Sequence, residues 1–119
     1  MRFMSIYKAV ERNAPPDPEE FARMGVLVEE MTKKGILVAT GGCLPSALGA
    51  RVRSSNGQLS VTDGPFVETK EVIGGFAILE CESKAHAIEL AKQFLRVVGK
   101  DGESEVRQMF ETPGEACSR

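Results

Sequence analysis

The sequence predicts an α+β fold of the ferredoxin-like type, in which two helices cover one face of an antiparallel sheet. A length of 119 residues suffices for one domain with a single core. Segments that read as strands are separated by two segments of helical period, in the order strand, helix, strand, hairpin, strand, helix, strand. This order places two strand–helix–strand halves around one sheet, with a hairpin between them.

The first strand and the first helix are predicted by local signals. Arg2–Lys8 alternates, and both of its faces are largely apolar, so an interior strand is expected. The helix that follows has Asp17 at its N-cap, Pro18 at its first position and Glu20 where it can complete a capping box. Gly35 ends this helix, after an apolar stripe formed by Phe21, Met24, Leu27, Val28 and Met31.

The second half is arranged around a hairpin. Ile36–Thr40 is predicted as a buried strand, and Asn56-Gly57 is predicted as the turn between strands Ala50–Ser54 and Gln58–Thr62. In this hairpin we expect the side chains of Val52, Leu59 and Val61 to lie on faces where they can pack. Another buried strand is predicted over Gly74–Cys81.

The C-terminal part completes the predicted sheet. Ser83 caps a second helix that ends at Gly99, with apolar residues at Ala87, Ile88, Ala91, Phe94, Leu95 and Val98. Glu105–Phe110 is predicted as the last strand and Thr112–Arg119 as a flexible tail. The predicted domain therefore spans residues 1–111.

Composition argues against several functions. Fifteen Lys and Arg against seventeen Asp and Glu give a formal charge of −2, without a basic run, so direct nucleic-acid binding is not expected. No apolar run approaches the roughly 20 residues that span a bilayer, and no signal peptide is visible, so we expect no membrane association and a cytoplasmic location. Cys43, Cys81 and Cys117 form no C-x-x-C pair, which argues against a metal site and a disulfide framework, and no cofactor is expected.

The loop Val61–Gly75 is the most unusual stretch, because it concentrates polar groups at Asp63, Glu68, Thr69, Lys70 and Glu71. Gly64 and Pro65 restrict its backbone locally. Asp63 is the candidate catalytic residue, since a carboxylate beside an apolar side chain such as Phe66 can have a raised pKa suited to proton transfer. The alternative is that Asp63 only forms the turn.

The candidate ligand-binding residues lie in and around this loop: Tyr7, Arg51, Gly64, Pro65, Phe66, Glu68, Thr69 and Lys70. Arg51 or Lys70 would hold an anionic group. Structural alternatives remain open, namely a solvated pair of Glu68 with Lys70, a core position for Phe66, and a half-buried strand tyrosine at Tyr7.

Two further residues belong to types that often carry catalysis. Cys43 has no histidine near it in sequence, so a small buried residue is expected there rather than a nucleophile. His86 lies at about the third position of the second helix, where a surface or capping role is expected rather than catalysis.

Several segments resemble the DGPF branch of the YCII-related family, over Met1 to about Glu111. The similarity is carried by Asp63-Gly64-Pro65-Phe66, Glu68-Thr69-Lys70-Glu71, Met1-Arg-Phe-Met, Gly35-Ile-Leu-Val, Gly49-Ala-Arg-Val-Arg, Ile73-Gly-Gly-Phe and Glu105-Val-Arg-Gln. The resemblance implies a dimeric ferredoxin-like α+β barrel and frequent association with extracytoplasmic-function sigma factors. It also implies a His/Asp active pair, and one family member is a dehydrochlorinase of aromatic degradation. The first helix here contains no histidine, so the histidine of that pair is not carried over.

Three classes of function follow. The first is a small-molecule-binding protein, or a cofactor-free lyase or isomerase, with a polar pocket between the sheet and the Asp63-Gly64-Pro65-Phe66 loop. The second is a non-catalytic module that binds a sigma factor, and the third is a structural dimer. Because helices cover only one face of the sheet, Met4 and Ile6 leave an apolar face that a homodimer would cover.

Overall fold

The structure is a computed structural model that describes residues 1–12, 14 and 17–111. Its elements are β1 (Arg2–Ala9), α1 (Pro18–Lys33), β2 (Leu37–Gly42), a short 3-10 helix (Ser46–Leu48), β3 (Ala50–Ser55), β4 (Gln58–Asp63), β5 (Val72–Glu80), α2 (Lys84–Val98) and β6 (Glu103–Gln108). Four strands form an antiparallel sheet in the order β2-β5-β1-β6, and β3 pairs with β4 in a separate hairpin. The predicted ferredoxin-like α+β fold is confirmed.

β1 lies inside the sheet, and its side chains alternate between the two sheet faces. Phe3 lies opposite Leu79 of β5, and both side chains are almost fully buried under the helices. The next residue, Met4, lies opposite Ile78 and points to the other face. The alternation predicted for this strand is therefore observed, with one face in the core and one face uncovered by the described helices.

The core lies between the sheet and the helices and is built from both halves of the chain. Phe3 and Leu79 pack with side chains from α1 and α2, namely Met31, Ala87 and Leu90. Full burial of an apolar side chain of this size stabilises the fold by about 1.5–3 kcal/mol. These residues hold the helices on the sheet, and no helix of the described residues covers the opposite face.

The apolar periods of the helices predicted the packing only in part. Phe21 is 66% exposed, because α1 packs on the core through the residues near its C-terminal end. In α2, Leu90 is buried although it was not predicted, whereas Ile88 is 39% exposed. Leu90 follows the buried Ala87 by three residues and therefore lies on the same side of the helix, while Ile88 is rotated by about 100°.

The helix caps follow the predicted residues, with one difference. The Asp17 carboxylate accepts a hydrogen bond from the Glu19 backbone N–H at 3.0 Å, but Glu20 forms an ion pair with Lys100 instead of completing a capping box. At the start of α2, the Ser83 hydroxyl accepts from the His86 N–H, and the imidazole Nδ1 of His86 accepts from the Glu82 N–H, both at 3.1 Å. The capping role expected for His86 is confirmed.

The remaining boundaries differ from the predictions by a few residues. β2 continues through Gly41-Gly42, and β6 begins at Glu103 and ends at Gln108, so that Phe110 lies beyond it and is exposed. The predicted tail, Thr112–Arg119, lies outside the described residues, which end at Glu111. Within the described ranges, neither helix has the length and apolar character needed to cross a bilayer.

The hairpin of β3 and β4 has the predicted turn, with positive φ angles of 52° at Asn56 and 79° at Gly57. Val52 lies opposite Val61, and Leu59 lies on the same face of the hairpin. All three side chains are exposed, so the packing expected for them is not observed within the described residues. The hairpin stands apart from the four-stranded sheet.

Candidate functional site

A cavity of about 350 Å³ lies between the sheet and the two helices. Apolar side chains form most of its helical wall: Met24 and Val28 from α1, and Phe94 and Val98 from α2. Tyr7 of β1 and Glu20 of α1 are among its polar residues. A volume of this size falls in the range of roughly 300–1,000 Å³ that is usual for small-molecule sites.

Glycine residues form part of the sheet side of the cavity, and their lack of side chains keeps this space open. A Cβ atom at Gly74 would lie 3.0 Å from the ring of Tyr7, and one at Gly75 would lie 2.8 Å from the carbonyl oxygen of Gly41. Any side chain at these positions would therefore meet the Tyr7 ring or push β2 away from β5. Gly41 also packs directly against the Phe76 ring, since an added Cβ there would lie 3.0 Å from the ring carbon Cε1.

A second cavity of about 360 Å³ adjoins the first. It lies among the residues that follow β1, the segment Cys43–Pro45 and the start of β5. Tyr7, Glu20 and Gly74 line both cavities, so the two spaces meet at these residues. We call the combined space the Tyr7 cleft, with an inner compartment under the helices and an outer compartment among the loops.

Tyr7 is held firmly at the junction of the two compartments. Its ring lies close to Gly102, where an added Cβ would come within 2.7 Å of the ring carbon Cε1. Burial raises the pKa of the Tyr7 hydroxyl, and the charges of Glu20 and Glu71 raise it further, while the charge of Arg12 opposes them. The hydroxyl is therefore protonated at neutral pH and is a hydrogen-bond donor.

Charged side chains surround the outer compartment. Glu20 pairs with Lys100 at 3.2 Å between Oε1 and Nζ. Asp17 is engaged in the cap of α1, and both carboxylate oxygens of Glu11 accept hydrogen bonds from Ser46. Glu20 is thus the carboxylate that lines both compartments.

A chain of hydrogen bonds through Ser46 anchors the charged loop between β4 and β5. The backbone N–H and the hydroxyl of Ser46 donate to the Glu11 carboxylate at 2.5 Å and 2.6 Å, and the Ser46 hydroxyl accepts from the Phe66 N–H at 3.1 Å. The bonds from Ser46 lower the pKa of Glu11. Sequence reasoning missed both Ser46 and Glu11, because they are 35 residues apart and no local pattern relates them.

Gly64 packs directly on the turn that contains Ser46. An added Cβ at Gly64 would lie only 1.7 Å from the carbonyl oxygen of Ser46, and the Gly64 N–H donates to the Gly49 carbonyl at 2.9 Å. The peptide bond between Gly64 and Pro65 is cis. These contacts account for glycine at position 64 by close backbone packing.

Several predicted ligand-binding residues come together at Arg51, where they bind one another. The guanidinium of Arg51 lies 3.9 Å from the centroid of the Phe66 ring, forms an ion pair with Glu68, and lies 3.4 Å from the Thr69 hydroxyl. The pKa of Glu68 is lowered, chiefly by a hydrogen bond from its own backbone N–H and to a smaller extent by Arg51. The pair of Glu68 with Lys70, which was the structural alternative, is replaced by the pair with Arg51.

The predicted residues thus separate into two groups. Tyr7 lines the cleft, whereas neither of its two compartments is lined by Asp63, Lys70 or residues 64–69. Asp63 and Lys70 are exposed. The cleft is therefore not the pocket that was predicted between the sheet and the loop. The catalytic role of Asp63 stays a prediction.

Cys43 differs from the expectation of a small buried residue, because it is exposed. It follows the last residue of β2, its N–H donates to the Gly74 carbonyl at 2.9 Å, and it lines the outer compartment. Cys81 is the buried cysteine among the described residues, and burial raises the pKa of its thiol. Within residues 1–12, 14 and 17–111, no group of His, Cys, Asp and Glu side chains is arranged to hold a metal ion.

The fold and the cleft define a ferredoxin-like α+β protein with a cavity between its sheet and its helices. The chain matches the YCII-related domain over residues 1–112, and it therefore belongs to the YCII-related family. It is also similar to an uncharacterized protein of Rhizobium meliloti (strain 1021), with 31% identity over 96 residues, which are 80% of this chain and 77% of that protein. The association with a sigma factor stays a prediction.

Proposed function

We propose that the chain is a small-molecule-binding protein whose ligand occupies the Tyr7 cleft. The observation that supports this proposal is a cavity of about 350 Å³ with an apolar helical wall and a protonated Tyr7 hydroxyl at its junction with the outer compartment. Apolar walls supply most of the affinity of such sites, and a few polar groups orient the ligand. Tyr7 is the orienting donor in this proposal.

A cavity-filling substitution tests the proposal. Val28→Phe places a larger side chain on the wall of the inner compartment, whereas Val26→Phe makes the same change at a position of α1 that is 59% exposed. A library of small aromatic and alicyclic compounds is screened by ligand-observed NMR, and bound compounds are titrated by calorimetry. We expect Val28→Phe to abolish binding and Val26→Phe to leave it unchanged.

Removal of the Tyr7 hydroxyl tests how the ligand is oriented. Tyr7→Phe keeps the ring and loses the donor, so compounds with a carbonyl group should bind roughly 2- to 12-fold more weakly, as expected for the loss of one hydrogen bond. Compounds without an acceptor should bind equally well to both proteins. Equal binding of all compounds to the wild type and to Val28→Phe would contradict the proposed location of the site.

We also propose that two copies of the chain pair through the sheet face opposite the helices. Met4 and Ile78 are cross-strand neighbours on this face, as are Ile6 and Phe76, and Phe76 is 39% exposed. Two ion pairs flank these apolar side chains: Arg2 pairs with Glu80, and Lys8 pairs with Glu105. A surface that carries both charges beside an apolar centre suits a two-fold interface, in which the same patch meets itself.

The proposed pairing is measured by sedimentation equilibrium at micromolar concentration. Ile6→Glu puts a charge at the centre of the face and should give a monomer, while Val26→Glu on the exposed side of α1 should leave the dimer intact. A monomeric wild type would exclude this interface. A dimeric wild type that Ile6→Glu does not dissociate would place the interface elsewhere.

A further inference from the structure

Two groups with opposite roles in proton transfer line the same space of the Tyr7 cleft. Tyr7 and Glu20 each line both compartments, and the charge of Glu20 acts on the Tyr7 hydroxyl. The hydroxyl is a donor, and the Glu20 carboxylate is a proton acceptor that its ion pair with Lys100 holds at the cleft. A ligand at the junction of the compartments therefore meets a hydrogen-bond donor and a base together.

The surroundings favour these two groups over Thr40 and Ser5, two other polar residues of the inner compartment. The Thr40 hydroxyl already donates to the Phe76 carbonyl at 2.8 Å, and Ser5 is buried in the sheet. The facing wall is apolar, with Met24 and Phe94 among its residues. Beside an apolar wall the effective dielectric constant is lower than in water. A hydrogen bond from Tyr7 to developing negative charge is therefore stronger there than in water.

We infer that the cleft takes a carbonyl compound with an acidic C–H bond beside the carbonyl group and promotes its enolisation. The inference rests on the proposed function, since it assigns a substrate class to the same cleft. The inner compartment, at about 350 Å³, has room for an apolar body that displaces roughly a dozen water molecules. The carbonyl group would lie at the junction, with its oxygen toward Tyr7 and its α-carbon toward Glu20.

The proton transfer is balanced without a cofactor. Glu20 takes the α-proton, the electron pair of the broken C–H bond forms the C=C bond, and the former carbonyl π pair moves to the oxygen, where the Tyr7 hydroxyl stabilises it by a hydrogen bond. Where the substrate has a second C=C bond conjugated with the enolate, return of the proton from Glu20 to the γ-carbon completes an isomerisation and the carbonyl group re-forms. Where the β-carbon carries a leaving group, the oxygen electron pair re-forms the carbonyl group, the enolate C=C pair becomes the bond between the α- and β-carbons, the leaving group departs with its bonding electron pair, and Glu20 releases the proton to solvent.

Deuterium exchange tests the enolisation without knowledge of the natural substrate. The probe is 2-tetralone, a bicyclic ketone with acidic α-protons, dissolved in deuterated buffer with the full-length chain. Proton NMR follows the loss of the α-proton signals, and saturation-transfer difference in the same sample reports binding. We expect the wild type to accelerate the exchange at least 100-fold over buffer at the same pH.

Matched variants separate the roles of the two residues. Glu20→Gln should return the exchange rate to that of buffer while 2-tetralone still binds, and Tyr7→Phe should lower the rate at least tenfold. Glu19→Gln is the control, because it changes the neighbouring carboxylate, which is highly exposed and outside the lining of both compartments. Glu20→Asp keeps a carboxylate and should retain part of the rate, and thermal denaturation checks that each variant is folded.

The outcomes distinguish the inference from the proposed function. Binding of 2-tetralone without exchange above the buffer rate would overturn the enolisation and leave the binding function standing. Exchange that persists in Glu20→Gln would overturn the role of Glu20 as the base. If 2-tetralone binds neither the wild type nor Val28→Phe, both the substrate class and the proposed occupant of the cleft are overturned.

Discussion

Replacement of Gly64 by alanine tests the backbone packing that anchors the charged loop. The added Cβ would lie 1.7 Å from the Ser46 carbonyl oxygen and 2.6 Å from its carbon, and an approach below 3.0 Å requires a shift of one of the two segments. The oxygen must therefore retreat by about 1.3 Å. Because both atoms belong to backbone segments, no side-chain rotation can relieve the overlap.

The cost follows from the hydrogen bonds that this shift breaks. The Gly64 N–H donates to Gly49 at 2.9 Å, the Gly49 N–H donates to Ser46 at 2.9 Å, and the Phe66 N–H donates to the Ser46 hydroxyl at 3.1 Å. At about 0.5–1.5 kcal/mol for each bond, the three together predict a loss of roughly 1.5–4.5 kcal/mol. For a chain of 119 residues, 1 kcal/mol corresponds to about 4 °C in Tm, so Gly64→Ala should lower Tm by roughly 6–18 °C.

The same substitution at Gly25 is the control and has the opposite expected sign. Gly25 lies inside α1, and an added Cβ there would meet nothing within 4 Å, so Gly25→Ala should raise stability by about 0.5–1 kcal/mol. Urea denaturation measures both variants, and hydrogen exchange at the Phe66 amide detects an opening of the loop that leaves the core folded. A Gly64→Ala protein with wild-type stability and wild-type exchange at Phe66 would refute the packing argument.

Three further predictions concern the anchor, the core and the cysteines. Since Ser46 lowers the pKa of Glu11 in the folded protein, the carboxylate contributes stability above its unfolded pKa of about 4.3, and this contribution is lost as the pH falls through the lower folded pKa. The urea midpoint of Glu11→Gln should therefore lie below that of the wild type at pH 7, and this difference should disappear below pH 4. A difference in urea midpoint that does not depend on pH would contradict the stabilising role of the Glu11 carboxylate. Leu79→Ala empties a fully buried position and should cost about 2–5 kcal/mol in urea denaturation, and a loss below 1 kcal/mol would mean that Leu79 is not at the centre of the core. Peptide mapping after a short treatment with iodoacetamide should find Cys43 alkylated and Cys81 protected, because Cys43 is exposed and burial raises the pKa of Cys81; equal labelling would show that one of these environments is wrong.

Local signals determined most of the elements, because they act between residues a few positions apart. Asp17 and Ser83 cap the helices that follow them, Gly99 ends α2 with a φ angle of 65°, and Asn56-Gly57 forms the predicted hairpin turn. Helix caps and turns depend on backbone angles and on hydrogen bonds within one turn, so the residue types suffice to identify them. The apolar periods then led to the ferredoxin-like arrangement, and the motif around Asp63 led to the family.

The position of the candidate site was decided by tertiary structure. Tyr7 was predicted as a ligand-binding residue, but Glu20 was assigned to a capping box, and its pairing with Lys100 joins residues from distant parts of the chain. Arg51 and Glu68, predicted to bind a ligand, bind each other across 17 positions. Composition and periodicity carry no information on such distances. Whether a charged side chain meets a ligand or a neighbouring side chain depends on which strands and loops the fold brings together, because only partners within a few ångströms compete for its hydrogen bonds.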